Sequence, residues 1–201
     1  MKNLHNRFAV NTIVMAAIFL LSITQVLRAQ SLYKLTPGKD VNVKVLGSSN
    51  VHDWTMTSTG IVSQGEFKVE GDQLKSLTAF SFTVDAKSLK SEHDGMDTRT
   101  YKAINADKFP KIIYKLTSAT ISPAQKGKFL IKATGDLTIS GATQTITLNV
   151  TATVNADNSI TCTGSEKLKL TDYKIQPPSF MLGAMKVAND LTIQYNLIYK
   201  Q

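Results

Sequence analysis

The chain has 201 residues, 42% of them hydrophobic and 19% charged, with 11 Gly and 5 Pro. This is the composition of a globular domain, and it excludes a disordered or collagen-like chain. The formal net charge is +8, of which Lys2, Arg7 and Arg28 supply three charges near the N-terminus. Cys162 is the single cysteine, which excludes an intramolecular disulfide, a Cys-rich zinc site and a CxxC redox motif.

The first segment reads as an export signal. Met1–Arg7 is a short basic head, and an apolar stretch from Ala9 to Leu21 follows, broken only by Asn11 and Thr12. Ser22–Gln25 is polar and Ala29 is small, the layout of a cleaved secretory signal. Cleavage is expected after Ala29, giving a signal over residues 1–29 and a domain over 30–201. The unbroken apolar core, Ile13–Leu21, is far short of the about 20 residues that span a bilayer. No cysteine near the cut offers a lipid anchor. The expected location is the periplasm or the exterior.

Beyond the signal, apolar and polar residues alternate with the period of half-buried strands. The expected strands begin with Val41–Leu46, Trp54–Val62 and Glu66–Glu70. In Leu77–Ala86, Phe80, Phe82, Val84 and Ala86 face one way, and Ser81, Thr83 and Asp85 the other. Lys111–Ile121 follows. In Lys128–Ile139, Phe129, Ile131, Ala133, Gly135, Leu137 and Ile139 share a face. Thr145–Val154 alternates most regularly, and Ile160–Leu170 and Leu191–Tyr199 complete the set. Gly65, Glu70-Gly71-Asp72, Ser140-Gly141-Ala142 and Asn155–Ser159 supply the turns. Tight turns make neighbours antiparallel. About eight such strands close most simply into an all-β, antiparallel barrel or a sandwich, which removes exposed edges.

Two segments depart from the alternation. His93–Lys108 suits a short helix that caps one end, with Asp94 near its N-cap, and Phe109-Pro110 ends it. Gln176–Gly183 is an apolar loop before the last strand.

Catalytic motifs are scarce. His52 and His93 each precede an aspartate, but they lie on different elements and lack metal-ligand spacing. Ser48 and Ser49 stand near His52 and Asp53 without a G-x-S-x-G elbow, so a hydroxyl-rich loop is the simpler reading. Cys162 shares an inward face with Ile160 and reads as a buried, inert thiol. There is no P-loop or GxGxxG, so no nucleotide is expected. Lys128 with Lys132 and Lys167 with Lys169 are scattered on polar faces without interleaved aromatics, which argues against nucleic acid and leaves transient contact with a membrane surface open. The inward face mixes Phe80, Phe82 and Phe129 with Ala86, Ala133, Gly135, Ala152, Cys162 and Gly164. Either the interior is hollow and holds one apolar ligand, or large residues opposite fill the gaps.

Three stretches carry a family resemblance. The first is Ser88-Leu89, Met96-Asp97 and Tyr101-Lys102-Ala103-Ile104, running into Lys108-Phe109-Pro110-Lys111-Ile112. The second is the strand–turn–strand Gly135–Leu148, and the third is Lys167–Ile175 with the closing strand. Together the chain resembles the YceI-like family of exported, lipocalin-like β-barrels that bind polyisoprenoid or other long-chain lipids. The resemblance implies a helix-capped tunnel, with Trp54, Phe80, Phe82, Met96, Tyr101, Ile112, Tyr114, Phe129, Phe180, Met181 and Met185 as candidate ligand-binding residues. It implies a non-catalytic carrier of an isoprenoid quinone or polyprenyl chain, or else of a fatty acid or its amide, with no other cofactor and no metal. Two alternatives stand beside it. One is an enzyme acting on such a lipid through His52 and Asp53, which titratable groups in the tunnel mouth would favour. The other is an extracellular structural or interaction module, which a solid interior would favour.

Overall fold

The computed structural model describes residues 31–201; the expected export signal, residues 1–29, lies outside the described residues. Eleven strands run β1 (Ser31–Leu35), β2 (Asn42–Ser49), β3 (Asp53–Ser58), β4 (Ile61–Glu70), β5 (Gln73–Asp85), β6 (Lys111–Gln125), β7 (Lys128–Ile139), β8 (Ala142–Val154), β9 (Ile160–Lys169), β10 (Ser179–Phe180) and β11 (Met185–Lys200). One α-helix, α1 (Asp94–Ala103), lies between β5 and β6, and 3-10 turns form at Ala86–Ser88, Leu170–Tyr173 and Met181–Gly183. All strand pairs are antiparallel.

Eight strands close a ring in the order β1-β4-β5-β6-β7-β8-β9-β11, sealed by the β1–β11 pairing. Over the described residues the fold is therefore all-β and antiparallel, as the alternation implied, and lipocalin-like with one short helix, as the resemblance implied. Hairpin chemistry sets the order of β7 and β8. Ser140 and Gly141 both take positive φ, 50° and 76°, and Ile139 pairs with Ala142 across them. This two-residue turn has the twist that a hairpin needs.

The ring differs at its two ends because β1 and β2 lie end to end along the same edge of β11. Leu35 and Lys34 pair with Tyr199 and Lys200, whereas Asn42–Ser49 pair with Asn196–Val187. At the β1 end, β1 hands directly on to β4. At the β2 end, β3 follows β2 and no ladder joins β3 to β4. An isolated bridge closes that gap: Thr57 and Lys90 exchange backbone bonds at 2.7 and 2.9 Å.

The expected strand Trp54–Val62 is thus two strands. Thr59-Gly60 breaks it, and Ile61-Val62 joins Glu66–Glu70 in β4. Ala86 leaves the β5 pattern for a 3-10 turn, although it stays fully buried. The short strand β1 carries too little alternation to stand out in the sequence. The helix is shorter than expected; His93 is its N-cap residue, and Asp94, expected near the cap, is the first residue of the helix. Its start is fixed by Asp97, which accepts the Ser91 backbone N–H at 2.7 Å and the Ser91 hydroxyl at 2.8 Å and pairs with Lys90 at 3.3 Å. Burial pushes the Asp97 carboxyl up, but the Ser91 and Lys90 bonds outweigh it and hold the group below the usual carboxylate range.

Candidate functional site

The interior contains a cavity of about 440 Å³ at the helix end and a smaller one of about 110 Å³ deeper in the ring. Position along each strand gives their order. On β5, Phe80 lines the small cavity, Phe82 lines both and Val84 the large one. On β7 the same sequence is Ala133, Leu137 and Ile139. On β11 it is Tyr195, Ile193 and Leu191. The two spaces therefore adjoin at Val43, Phe82, Leu137, Leu168 and Ile193. They follow one axis through inward side chains that alternate with solvent-facing ones.

The wall of the large cavity is aliphatic on β2, β9 and β11, with Val43, Val45, Leu168, Leu191 and Ile193. The helix closes one side with Gly95, Met96, Arg99, Thr100 and Ala103. The loop before β11 closes another with Pro178, Phe180 and Met185. Arg99 and Phe180 meet across this mouth, the guanidinium 4.8 Å from the ring centre, within cation–π range. His52, His93 and Lys169 also reach the rim. Among the described residues, no group of three His, Cys, Asp or Glu side chains is arranged to hold a metal.

The residue motifs near the rim resolve into backbone contacts. His52 Nδ1 lies 2.9 Å from the backbone oxygen of Asp53, and Ser49 Oγ donates to the His52 carbonyl at 3.0 Å. The Ser49 hydroxyl in turn accepts the N–H groups of Val51 and His52, each at 3.1 Å. This is a hydrogen-bonded turn of the hydroxyl-rich kind, with the Ser49 hydroxyl and His52 Nδ1 engaged locally.

The family profile of the YceI-like domain matches residues 36–199. The chain belongs to the YceI-like family. Among solved structures it is similar to BcnA of Burkholderia cenocepacia, with a TM-score of 0.65 and 18% identity over 82% of this chain and 98% of that one. It is also similar to a polyisoprenoid-binding domain from Saccharophagus degradans implicated in plant cell wall breakdown, with a TM-score of 0.62 and 12% identity over 84% and 97% of the two chains. A third is the YceI protein of Campylobacter jejuni, with a TM-score of 0.51 and 17% identity over 69% and 81%. At these identities the likeness is one of fold. No curated protein matches the chain.

In this YceI-like domain, Trp54, Phe82, Met96, Ile112, Phe180 and Met185 line the large cavity, and Phe80, Phe82 and Tyr114 line the small one. Three of the residues expected at the tunnel lie elsewhere. The Tyr101 hydroxyl donates to the carbonyls of Lys87 and Leu89 at 2.9 and 2.7 Å, so that ring fastens α1 to the segment after β5. Phe129 is buried opposite Ala152 in the packed half. Met181 is 75% exposed at the tip of the loop.

The two inward glycines do not make the hollow, although Ala133 and Cys162 line its smaller part. A side chain at Gly135 would run into the Tyr114 ring, and one at Gly164 into the Tyr195 ring. Each glycine gives an aromatic ring on the neighbouring strand room to lie flat across it. Among the described residues, four buried side-chain atoms have no hydrogen-bond partner: Trp54 Nε1, Tyr173 Oη, Tyr195 Oη and Asp97 Oδ2, the last of which faces the Lys90 ammonium. The pairing of Tyr195 with Gly164 is a tertiary fact that no reading of either strand alone would supply.

Proposed function

We propose that this YceI-like protein is an exported, non-catalytic carrier that encloses one long-chain apolar molecule, first a polyisoprenoid or isoprenoid quinone and second a fatty-acid-like lipid. The observation that carries this reading is the pair of adjoining, mainly apolar cavities beneath α1. The larger falls within the roughly 300–1,000 Å³ of small-molecule sites. A flexible apolar chain suits a wall of Met, aliphatic and flat aromatic side chains. The fold similarity to a domain described as polyisoprenoid-binding supports the same ligand class. Export to the periplasm or exterior is supported by the basic head and short apolar core of residues 1–29, and N-terminal sequencing of the exported protein should begin near Gln30.

Transient contact with a membrane surface fits the loops at the mouth. Met181 and Leu182 are 75% and 110% exposed, and Val51 is 61% exposed. Asn50 ties their two loops together, donating to the Ala184 carbonyl and accepting the Lys186 N–H, each at 2.8 Å. An apolar tip of this kind beside a cavity mouth suits loading from lipid.

The test is native mass spectrometry with lipid extraction on protein purified from its own host. Wild type should carry a long-chain lipid. Phe82→Arg, which puts an unpaired guanidinium into the lumen, should lose it, and Thr83→Arg on the opposite face should keep it while both retain β-type circular dichroism. Empty wild type, or ligand loss from Thr83→Arg alone, would end the carrier reading.

A further inference from the structure

Glu166 breaks the apolar parity of β9. It shares the inward face of Cys162 and Leu168 and lines the small cavity. In the ladder it stands opposite Ile193, and both Ile193 and Leu168 line the two cavities at once. The carboxyl group therefore stands where the cavities adjoin. No lysine or arginine among the described residues forms an ion pair with it.

Two phenols bracket this position. Tyr195 lies over Gly164, one inward step before Glu166 on the same strand, and lines the small cavity. Tyr173 comes from the 3-10 turn after β9, is 2% exposed and lines the large cavity. Both hydroxyls are buried without a partner. Other interior phenols are satisfied: Tyr114 donates to the Ala133 carbonyl at 2.9 Å, and Tyr199 and Ser63 share a bond at 2.9 Å. Buried polar groups are nearly always paired in folded proteins, so two orphaned hydroxyls beside a carboxyl that takes a backbone N–H from Lys167 but no cation point to an absent partner. Burial pushes the Glu166 carboxyl above its usual range and is the main cause that raises both phenols, to which nearby acidic groups, Glu166 among them, add a smaller push, as expected for groups sharing one poorly solvated space.

We propose that Glu166, Tyr195 and Tyr173 form a polar seat for the end group of the carried lipid, selective for a hydrogen-bond donor without negative charge — a hydroxyl or an amino group — and closed to phosphate and carboxylate ends. The seat rests on the carrier reading above and adds an orientation to it: the polar end goes in first, and the apolar chain runs through the large cavity toward α1. A carboxylate accepts bonds from such a donor, and the phenols complete the pairing by donating to its oxygen or accepting from it. A second anion would meet Glu166 with no cation between them, which is repulsive in a space of low polarity.

The test uses delipidated full-length mature protein and four probes of equal chain length: 1-dodecanol, dodecylamine, dodecyl methyl ether and dodecanoate. Each is titrated below its aggregation limit against a bound apolar fluorescent dye. Wild type should bind the alcohol and the amine about tenfold more tightly than the ether, which lacks the donor, and dodecanoate most weakly. Glu166→Leu should bring alcohol and ether level and improve dodecanoate. Tyr195→Phe and Tyr173→Phe, which keep the ring packing, should each weaken the alcohol about threefold to tenfold and leave the ether unchanged. Equal binding of alcohol and ether by wild type overturns the seat but leaves the carrier reading standing. So does a Glu166→Leu variant that binds all four probes more tightly by the same factor. Failure of all four probes to bind wild type overturns both.

Discussion

The two halves of the ring are built from the same alternation and end differently. In the β1 half, Phe67 lies 5.5 Å from Tyr33 and 5.7 Å from Tyr199, and Phe80 lies 5.8 Å from Tyr199, ring centre to ring centre. These rings pack with Phe129, Ile131 and Ile160 into a core that is filled except for the small cavity of about 110 Å³. In the β2 half, Val45, Ile112, Ile139, Leu168 and Leu170 are only partly buried and face an open space. The difference follows from width and side-chain reach. Where β1 alone separates β11 from β4, aromatic rings cross the interior. Where β2 and β3 are inserted, medium-length aliphatic chains do not meet, and a helix is needed to cover the opening. Apolar character is equal in the two halves; packing is not.

Truncation should separate the halves most sharply. Phe67→Ala, at a residue 1% exposed, should cost about 3–5 kcal/mol in urea unfolding, because it loses the burial of a whole ring and enlarges the small cavity that Phe67 lines. Ile112→Ala at the wall of the existing cavity should cost under about 2 kcal/mol, the transfer term alone, while enlarging the ligand space. Equal costs would mean that the helix end is as well packed as the other.

The fastening of the cover comes next. Asp97→Asn removes the charge that Ser91 and Lys90 hold at the start of α1 and should cost about 2 kcal/mol near neutral pH. Because the folded-state carboxyl is held below its unfolded value, this stabilisation is full above the unfolded pKa and is lost as pH falls through the folded one. Denaturation curves of wild type and variant should therefore converge in acid. A constant gap down to the acid limit would assign the effect to shape, not charge.

The smallest effect belongs to the filled half. Cys162 is buried, and burial pushes its thiol up to about 12. A thiol reagent should leave it unlabelled in the native state near neutral pH and label it on unfolding. Rapid native labelling would place the β9 parity, and with it Glu166, on the wrong face.

Much of this was legible in the residues. The run Lys128–Ile139 is β7 from end to end, and inward parity on β5 and β7 follows from alternation, because adjacent side chains must point to opposite faces. The same rule puts Glu166 on the face of Leu168, but Glu166 was not among the expected site residues, because a lone glutamate on a strand reads as solvent-facing. What local pattern could not convey was depth. Phe129 and Phe82 have the same parity and similar neighbours, yet one is core and the other cavity wall. Tyr101 lies on the expected helix but spends its hydroxyl on the backbone of Lys87 and Leu89. The break at Thr59-Gly60 was hidden because the apolar residues on either side of it keep alternating.

The amino-acid sequence by itself determined the strands, their antiparallel order through tight turns, the face each side chain takes and the family. These follow from steric alternation and turn chemistry, which act over a few residues. Tertiary structure alone decided that Gly135 and Gly164 are filled by Tyr114 and Tyr195, that the hollow lies at the β2–β3 end, and that a carboxyl and two phenols converge where the cavities meet. Each of these depends on the register between strands and on the width of the closed ring, quantities that exist only once distant segments have paired.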